Sequence, residues 1–227
     1  GIGADRRRNP DRILDVLREV DADIVALQEA DRRFGEREGV LPLHLIEDHS
    51  DWKPIIYGMK ARSLGWHGNT LLVRKSTRVL DFEAIHLPSL EPRGAVMADL
   101  STDAGILRIV GMHLDLSGLW RRRQAGAILS HLASCLHQHP TVMMGDLNEW
   151  RGKSAALKTF GRQFTIGQSR PSFPSRYPLL ALDRMMTCIQ GELLDIATHD
   201  SPLARRASDH LPIKARLRLT PLTAKGL

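Results

Sequence analysis

Between residues 53 and 113 the chain offers five strand candidates, at 53–58, 67–74, 77–86, 93–100 and 105–113. They are separated by Gly, Pro, Asp and Ser, and no run among them has a helical period. Strands paired in parallel need crossover connections of roughly a dozen residues, usually a helix. None is evident here, so a purely parallel, doubly wound sheet fits less well. Helical spacing returns on either side of this block. Asn9-Pro10 supplies a cap with proline at the first helical position, and Ile13, Leu14, Leu17 and Val20 then predict a helix over 10–20. Over 119–137, Trp120, Gln124, Ile128, Leu132 and either Cys135 or Leu136 fall on one stripe. Short buried strands are predicted at 23–28 and 140–144, a short helix at 153–160, an irregular stretch at 161–178, and further strands at 180–187, 192–198 and 211–219. Two runs of strands with helices set between them predict an α+β fold, two sheets face to face with helices outside: a four-layer αββα sandwich. No repeat or linker divides residues 1–219, so one domain is expected, followed by a disordered tail at 220–227.

Charge and cysteine usage narrow the partners only a little. The formal balance is 32 − 26 = +6, and seven of the 32 cations are lysine, which leaves 25 arginines. The planar guanidinium fork suits phosphate, although an arginine-rich composition gives the same count. No apolar run exceeds five residues, against roughly 18 for a bilayer-spanning helix, so no transmembrane segment is expected. Cys135 and Cys188 have neither metal-ligand spacing nor a disulfide framework; they read as reduced core residues and favour a cytoplasmic protein. A monomer is expected.

Chemistry is sought where a charged group follows an apolar strand, because such a group is held rigidly at a cleft rim. Five places qualify: Glu29 after DIVALQ, His113 after ILRIVGM, Asp146 and Asn148 after TVMMG, Asp183 within LLALDRMM, and Asp209-His210 ahead of LPIKARL. Singly, each has an ordinary explanation. Glu29 ends a strand at the surface, His113 is a satisfied histidine at a sheet edge, and Asp146 makes an Asx turn. Only Asp183 is hard to dismiss, since a carboxylate inside an apolar stretch needs a partner.

Taken in order, LQE at 27–29, MHLDLSG at 112–118, GDLN at 145–148, LDRM at 182–185 and SDHLP at 208–212 resemble the motif set of the endonuclease/exonuclease/phosphatase superfamily, the DNase I-like metal-dependent phosphohydrolases. Gly68-Asn69, Glu91-Pro92-Arg93-Gly94 and FPS at 173–175 resemble its uncharacterised bacterial branch, and on that ground Asn69 and Arg93 are expected to bind substrate. The resemblance implies the four-layer sandwich and hydrolysis of a P–O bond by an activated water with Mg²⁺, or Mn²⁺, as cofactor. A hard, oxygen-liganded cation suits an anionic phosphodiester. It further implies Glu29 as principal metal ligand, with Asp209 near the metal. Asp146 and Asn148 would activate and orient the water and phosphate, with Asp146 preferred as base. His210 would contact a phosphoryl oxygen, Asp183 would fix its tautomer and favour its cation, and His113 would stand on the leaving-group side. Members begin with a strand ending in asparagine. The resemblance therefore places that strand, roughly a dozen residues with its turn, ahead of Gly1.

The substrate stays open between nucleic acid, chiefly DNA, and a phospholipid headgroup or small phosphodiester. Arg6-Arg7-Arg8, Arg121-Arg122-Arg123 and Arg205-Arg206 are candidate phosphate readers, though arginines in loops are mostly solvated. Eleven aromatic residues give no evident stacking platform. Leu116, Leu119, Trp120 and Trp150 would form an apolar lip for a lipid, or else belong to the core, the latter being favoured for Trp120. The alternative function is a binding module that retains the sandwich without catalysis.

Overall fold

A computed structural model describes residues 9–31, 39–57 and 63–220. Helix α1, Pro10–Val20, starts where Asn9 accepts a hydrogen bond from the Arg12 N–H and ends at Asp21 in the left-handed region. β1, Ile24–Leu27, follows, then α2, Leu43–His49, and strands β2, Trp52–Ile55, β3, Thr70–Arg74, β4, Arg78–Ile85, β5, Gly94–Thr102, and β6, Gly105–His113. Helix α3, Gly118–Ser134, leads into β7, Thr141–Asp146, and α4, Ala155–Phe160. The remainder is β8, Thr165–Ile166, β9, Asp183–Thr187, β10, Gly191–Thr198, the single turn α5, Ala204–Ala207, and β11, Ile213–Leu219.

Six strands form one sheet in the order β4-β5-β6-β7-β9-β8, and only the β6–β7 pair is parallel, with α3 as its crossover. Alternation along these strands makes two apolar faces. Val110 and Met112 of β6 and Met143 of β7 pack with Ile128, Leu132, Leu157 and Phe160 of α3 and α4. Leu107, Ile109 and Val142 point the other way, onto Ile55, Leu71 and Val73 of the second sheet. Behind that sheet, Leu72 and Trp52 pack with Leu14 and Leu17 of α1 and Ile46 of α2. Three apolar interfaces thus separate helix, sheet, sheet and helix, the four-layer αββα sandwich expected from the strand pattern.

The second sheet is in two pieces, β1-β3-β2 and β10-β11. Among the described residues β1 pairs only with β3 and β11 only with β10. Both strands line a cavity of about 1430 Å³, together with Ile109 and Met144 of the large sheet, Val16 of α1 and Ala204 of α5.

Several local expectations change. Helix α2 has no counterpart in the sequence reading, because seven residues with one buried side chain, Ile46, give no periodic signal. The buried stripe of α3 is Arg121, Gln124, Ala125, Ile128, Leu129 and Leu132. Leu136 is 89% exposed, and Trp120 is only half-buried, with the Arg123 guanidinium over its ring. Inside the helix layer Arg121 binds Glu149, a buried ion pair that an apolarity rule cannot find. Cys135 and Cys188 are free and half-buried. Residues 1–8, with Arg6-Arg7-Arg8, and 221–227 of the expected tail lie outside the described residues.

Candidate active site

Register assembles the centre. His113 ends β6, Asp146 ends β7 and Asp183 begins β9, and the pairing sets His113 opposite Asp146 and Asp146 opposite Asp183. By the two-residue period the three share the face that carries Ile109 and Val142, so the inter-sheet core ends in a row of polar groups. Gly145 permits this row. Its φ is +146°, and a Cβ there would lie 1.9 Å from the Met112 carbonyl oxygen. Gly145→Ala is therefore expected to cost about 3 kcal/mol or more, read as a lowered urea midpoint, because the obstacle is backbone rather than a side chain that can move.

Asp146 is almost buried and both its oxygens are engaged. Oδ1 accepts the Asn148 backbone N–H at 2.7 Å, while Oδ2 lies 3.4 Å from His113 Nε2 and 4.0 Å from His210 Nε2. Burial opposes its charge, but the His113 hydrogen bond, the His113 and His210 charges and the Asn148 N–H together hold its carboxyl below the ordinary range. Asn148, at φ 49°, donates from Nδ2 to the Leu114 carbonyl at 2.9 Å.

His210 faces Asp146 from the loop ahead of β11. Its Nδ1 lies 2.9 Å from Asp183 Oδ2, and the Ser172 hydroxyl donates to the same oxygen. Burial disfavours the imidazolium, yet the Asp183 hydrogen bond and the charges of Asp183, Asp146 and Asp209 outweigh it, so His210 is pushed up to about 9. The Phe173 ring packs on His210 with centroids 4.9 Å apart.

His113 meets a second basic group. Arg93, buried, places Nη1 2.9 Å from His113 Nδ1 and also touches Nε2, while its Nη2 binds Glu91 Oε2 at 3.2 Å.

Glu29 is exposed just past β1 at φ 54° and lines the same cavity as Gly145, Asp183 and His210. Asp209 is exposed beside His210, its carbonyl accepting the Ser175 N–H at 2.7 Å. Their donors are hard carboxylate oxygens, as are those of Asp146 and Asp183 around His210, a set that fits Mg²⁺ or Mn²⁺ better than a softer ion. Among the described residues, the one group of three donor atoms mutually within 4.8 Å lies elsewhere, at Glu83, His131 and Cys135.

Asn69 is fully buried, and its Nδ2 donates to the Gly94 carbonyl at 3.1 Å and the Trp66 carbonyl at 3.3 Å. Gly94 pairs with His113 and follows Arg93, so Asn69 braces the strand that carries the Arg93–His113 contact. The sequence reading missed Ser172 and Ser175. The buried Ser175 hydroxyl donates to the Ser208 carbonyl at 2.7 Å and fixes the turn that presents Asp209 and His210. The FPS resemblance was the only signal for this segment. Of the basic clusters, Arg121 is committed to Glu149 and Arg205 to Asp200, at 2.6 and 2.8 Å.

A sandwich with acids and histidines converging at the strand ends defines a class, and comparison with known proteins names it. Residues 2–210 match the Endonuclease/Exonuclease/phosphatase family, and the chain belongs to it. No curated protein matches. Among solved structures, an endonuclease/exonuclease/phosphatase from Bacteroides vulgatus is similar at TM-score 0.72 and 20% identity, covering 92% of this chain and 90% of that one. TDP2 of D. rerio, complexed with a single-strand DNA product, is similar at 0.70 and 15%, covering 92% and 91%. The mannosyl-6-phosphatase Bt3783 of Bacteroides thetaiotaomicron is similar at 0.69 and 15%, covering 93% and 91%. At these identities the likeness is one of fold. Among the described residues, no helix is long and apolar enough to cross a membrane.

Proposed function

We propose that the chain is a divalent-metal-dependent phosphodiesterase that cleaves a P–O bond with an activated water. The observation that carries this is the 4.0 Å separation between His210 Nε2 and Asp146 Oδ2. It is too long for a hydrogen bond and leaves an acceptor and a donor facing one gap, where the hydrogen of a water and a phosphoryl oxygen can each find a partner. Asp146, held ionised, accepts the proton of the attacking water. Asn148 has its backbone N–H and Nδ2 fixed, and no described hydrogen bond holds its Oδ1, which turns toward that water as acceptor. His210, cationic through Asp183, donates to a phosphoryl oxygen as charge builds on it. His113 stands on the leaving-group side, held there by Arg93. Glu29, with Asp209 near it, would hold Mg²⁺ or Mn²⁺, and the ion would supply charge neutralisation at the phosphoryl oxygens.

For the substrate, the loops that leave the catalytic strand ends expose apolar side chains: Leu116 (62%) and Leu119 after β6, Trp150 (56%) after β7, and Tyr177 (76%) and Leu179 ahead of β9. With Arg121 and Arg205 internally paired, an apolar lip favours a phospholipid headgroup or small phosphodiester with a greasy substituent over a bare nucleic-acid backbone. The test compares turnover of phosphatidylcholine and phosphatidylinositol in mixed micelles, plasmid DNA and bis-p-nitrophenyl phosphate. Faster turnover of the lipids, reduced in Trp150→Ser, supports the lipid assignment. Faster nicking of plasmid, with rates falling steeply in salt, overturns it in favour of nucleic acid.

A further inference from the structure

Away from the cleft, β4 and the last turn of α3 bring together three side chains whose chemistry the hydrolytic centre does not use. Glu83, His131 and Cys135 each present one ligand atom, and all three atoms lie within 4.8 Å of one another. The arrangement has two sources. His131 and Cys135 are four residues apart, so the end of α3 stacks imidazole and sulfur on one face. Glu83 then reaches across from the neighbouring edge strand, its Oε1 2.9 Å from His131 Nε2. All three are open to solvent to some degree, Glu83 the most.

We propose that Glu83, His131 and Cys135 form a zinc site, with a solvent molecule as fourth ligand. One sulfur, one nitrogen and one carboxylate oxygen are the mixed donors of Zn²⁺, whereas the oxygen donors of the cleft suit Mg²⁺. The surrounding charge favours a cation. Asp81 and Asp99 also act on Cys135, and the one opposing group that does so, Arg108, is held by Asp99 through two hydrogen bonds of 2.7 Å. Burial keeps the Cys135 thiol above its ordinary range, so metal entry replaces the sulfur-bound proton, which leaves to solvent as the Zn–S bond forms. The His131–Glu83 contact opens to admit the ion: the Nε2 proton shared with Glu83 is given up, by tautomeric transfer to Nδ1 or to solvent, and Nε2 and the carboxylate oxygen then each offer a lone pair to the metal. A simple surface ion pair explains Glu83 and His131; Cys135, whose Sγ donates to the His131 carbonyl at 3.5 Å, stands outside that pair but keeps its sulfur within reach of the same ion.

Cobalt titration of the full chain tests the site, with excess Mg²⁺ present to saturate oxygen ligands. The expected result is one equivalent of Co²⁺ bound with thiolate-to-cobalt charge-transfer absorption in the near ultraviolet, displaced by one equivalent of Zn²⁺. Cys135→Ser removes the band and Cys188→Ser leaves it. His131→Gln weakens Zn²⁺ binding by about 100-fold or more, since even outer-shell partners of metal ligands are worth 10–100-fold. Circular dichroism checks that each variant is folded, and either Cys135→Ser or His131→Gln alone suffices for the decision. Absence of the charge-transfer band in the unmodified chain, or its survival in Cys135→Ser, overturns the proposal.

Discussion

Asp146→Asn is expected to lower kcat by about 10²–10⁴-fold, the range typical of a positioned general base, with KM changed far less. The substitution keeps the size of the side chain and leaves one carbonyl oxygen to accept the Asn148 N–H, so the turn after β7 persists. Two things disappear. The amide has no basic oxygen to receive a proton from water, and the negative charge facing His113 at 3.4 Å and His210 at 4.0 Å is removed. A steady-state assay with a soluble diester, beside a thermal melt within a few degrees of the parent, separates loss of chemistry from loss of fold. Asp146→Asn with parental turnover would transfer the role of base to a histidine.

Asp183→Asn is expected to have the second-largest effect, through His210. The Asp183 carboxylate is the main opponent of the burial that would otherwise discharge the imidazole. Without it, the value of about 9 falls towards or below the ordinary 6.5, and at neutral pH much of the His210 charge is lost. A drop of about 10²–10³-fold in kcat follows if that cation is the donor to the phosphoryl oxygen. The sign for stability is fixed as well. The folded-state value lies above the unfolded one, so the Asp183–His210 pair stabilises the fold fully below about pH 6.5 and loses that contribution as pH rises through about 9. Imidazole proton resonances followed by NMR against pH read the shift directly. An unchanged His210 titration in Asp183→Asn would show that another group holds the charge.

Much of this centre was legible in the sequence because strand ends were. DIVALQE, VGMH and MMGD each show a short apolar run stopped by an acid or histidine, and pairing then set His113, Asp146 and Asp183 in one row without further information. The layer order was legible for the same reason, since five strands without a crossover helix leave few architectures. What was hidden is what depends on distant partners. Arg121 sits on the buried stripe of α3 only because Glu149 neutralises it, and Asn69 turns inward only because the Gly94 and Trp66 carbonyls need donors. Ser172 and Ser175 form part of the site through one hydroxyl each, in a segment with no periodicity to mark it. The grouping of Glu83 with His131 and Cys135 joins residues 48 positions apart across two elements, and no spacing rule connects them.

The claim that these residues form a metal-dependent phosphoester hydrolase is tested most directly by turnover of bis-p-nitrophenyl phosphate with and without metal. The polypeptide is freed of metal with EDTA, assayed, and then titrated with Mg²⁺ and Mn²⁺. The account predicts no turnover in EDTA, restoration by either ion, and at least about tenfold weaker metal dependence of the rate in Glu29→Gln, since outer-shell partners alone are worth that much. Turnover that persists in EDTA, or a folded protein that stays inactive with both ions, would contradict it.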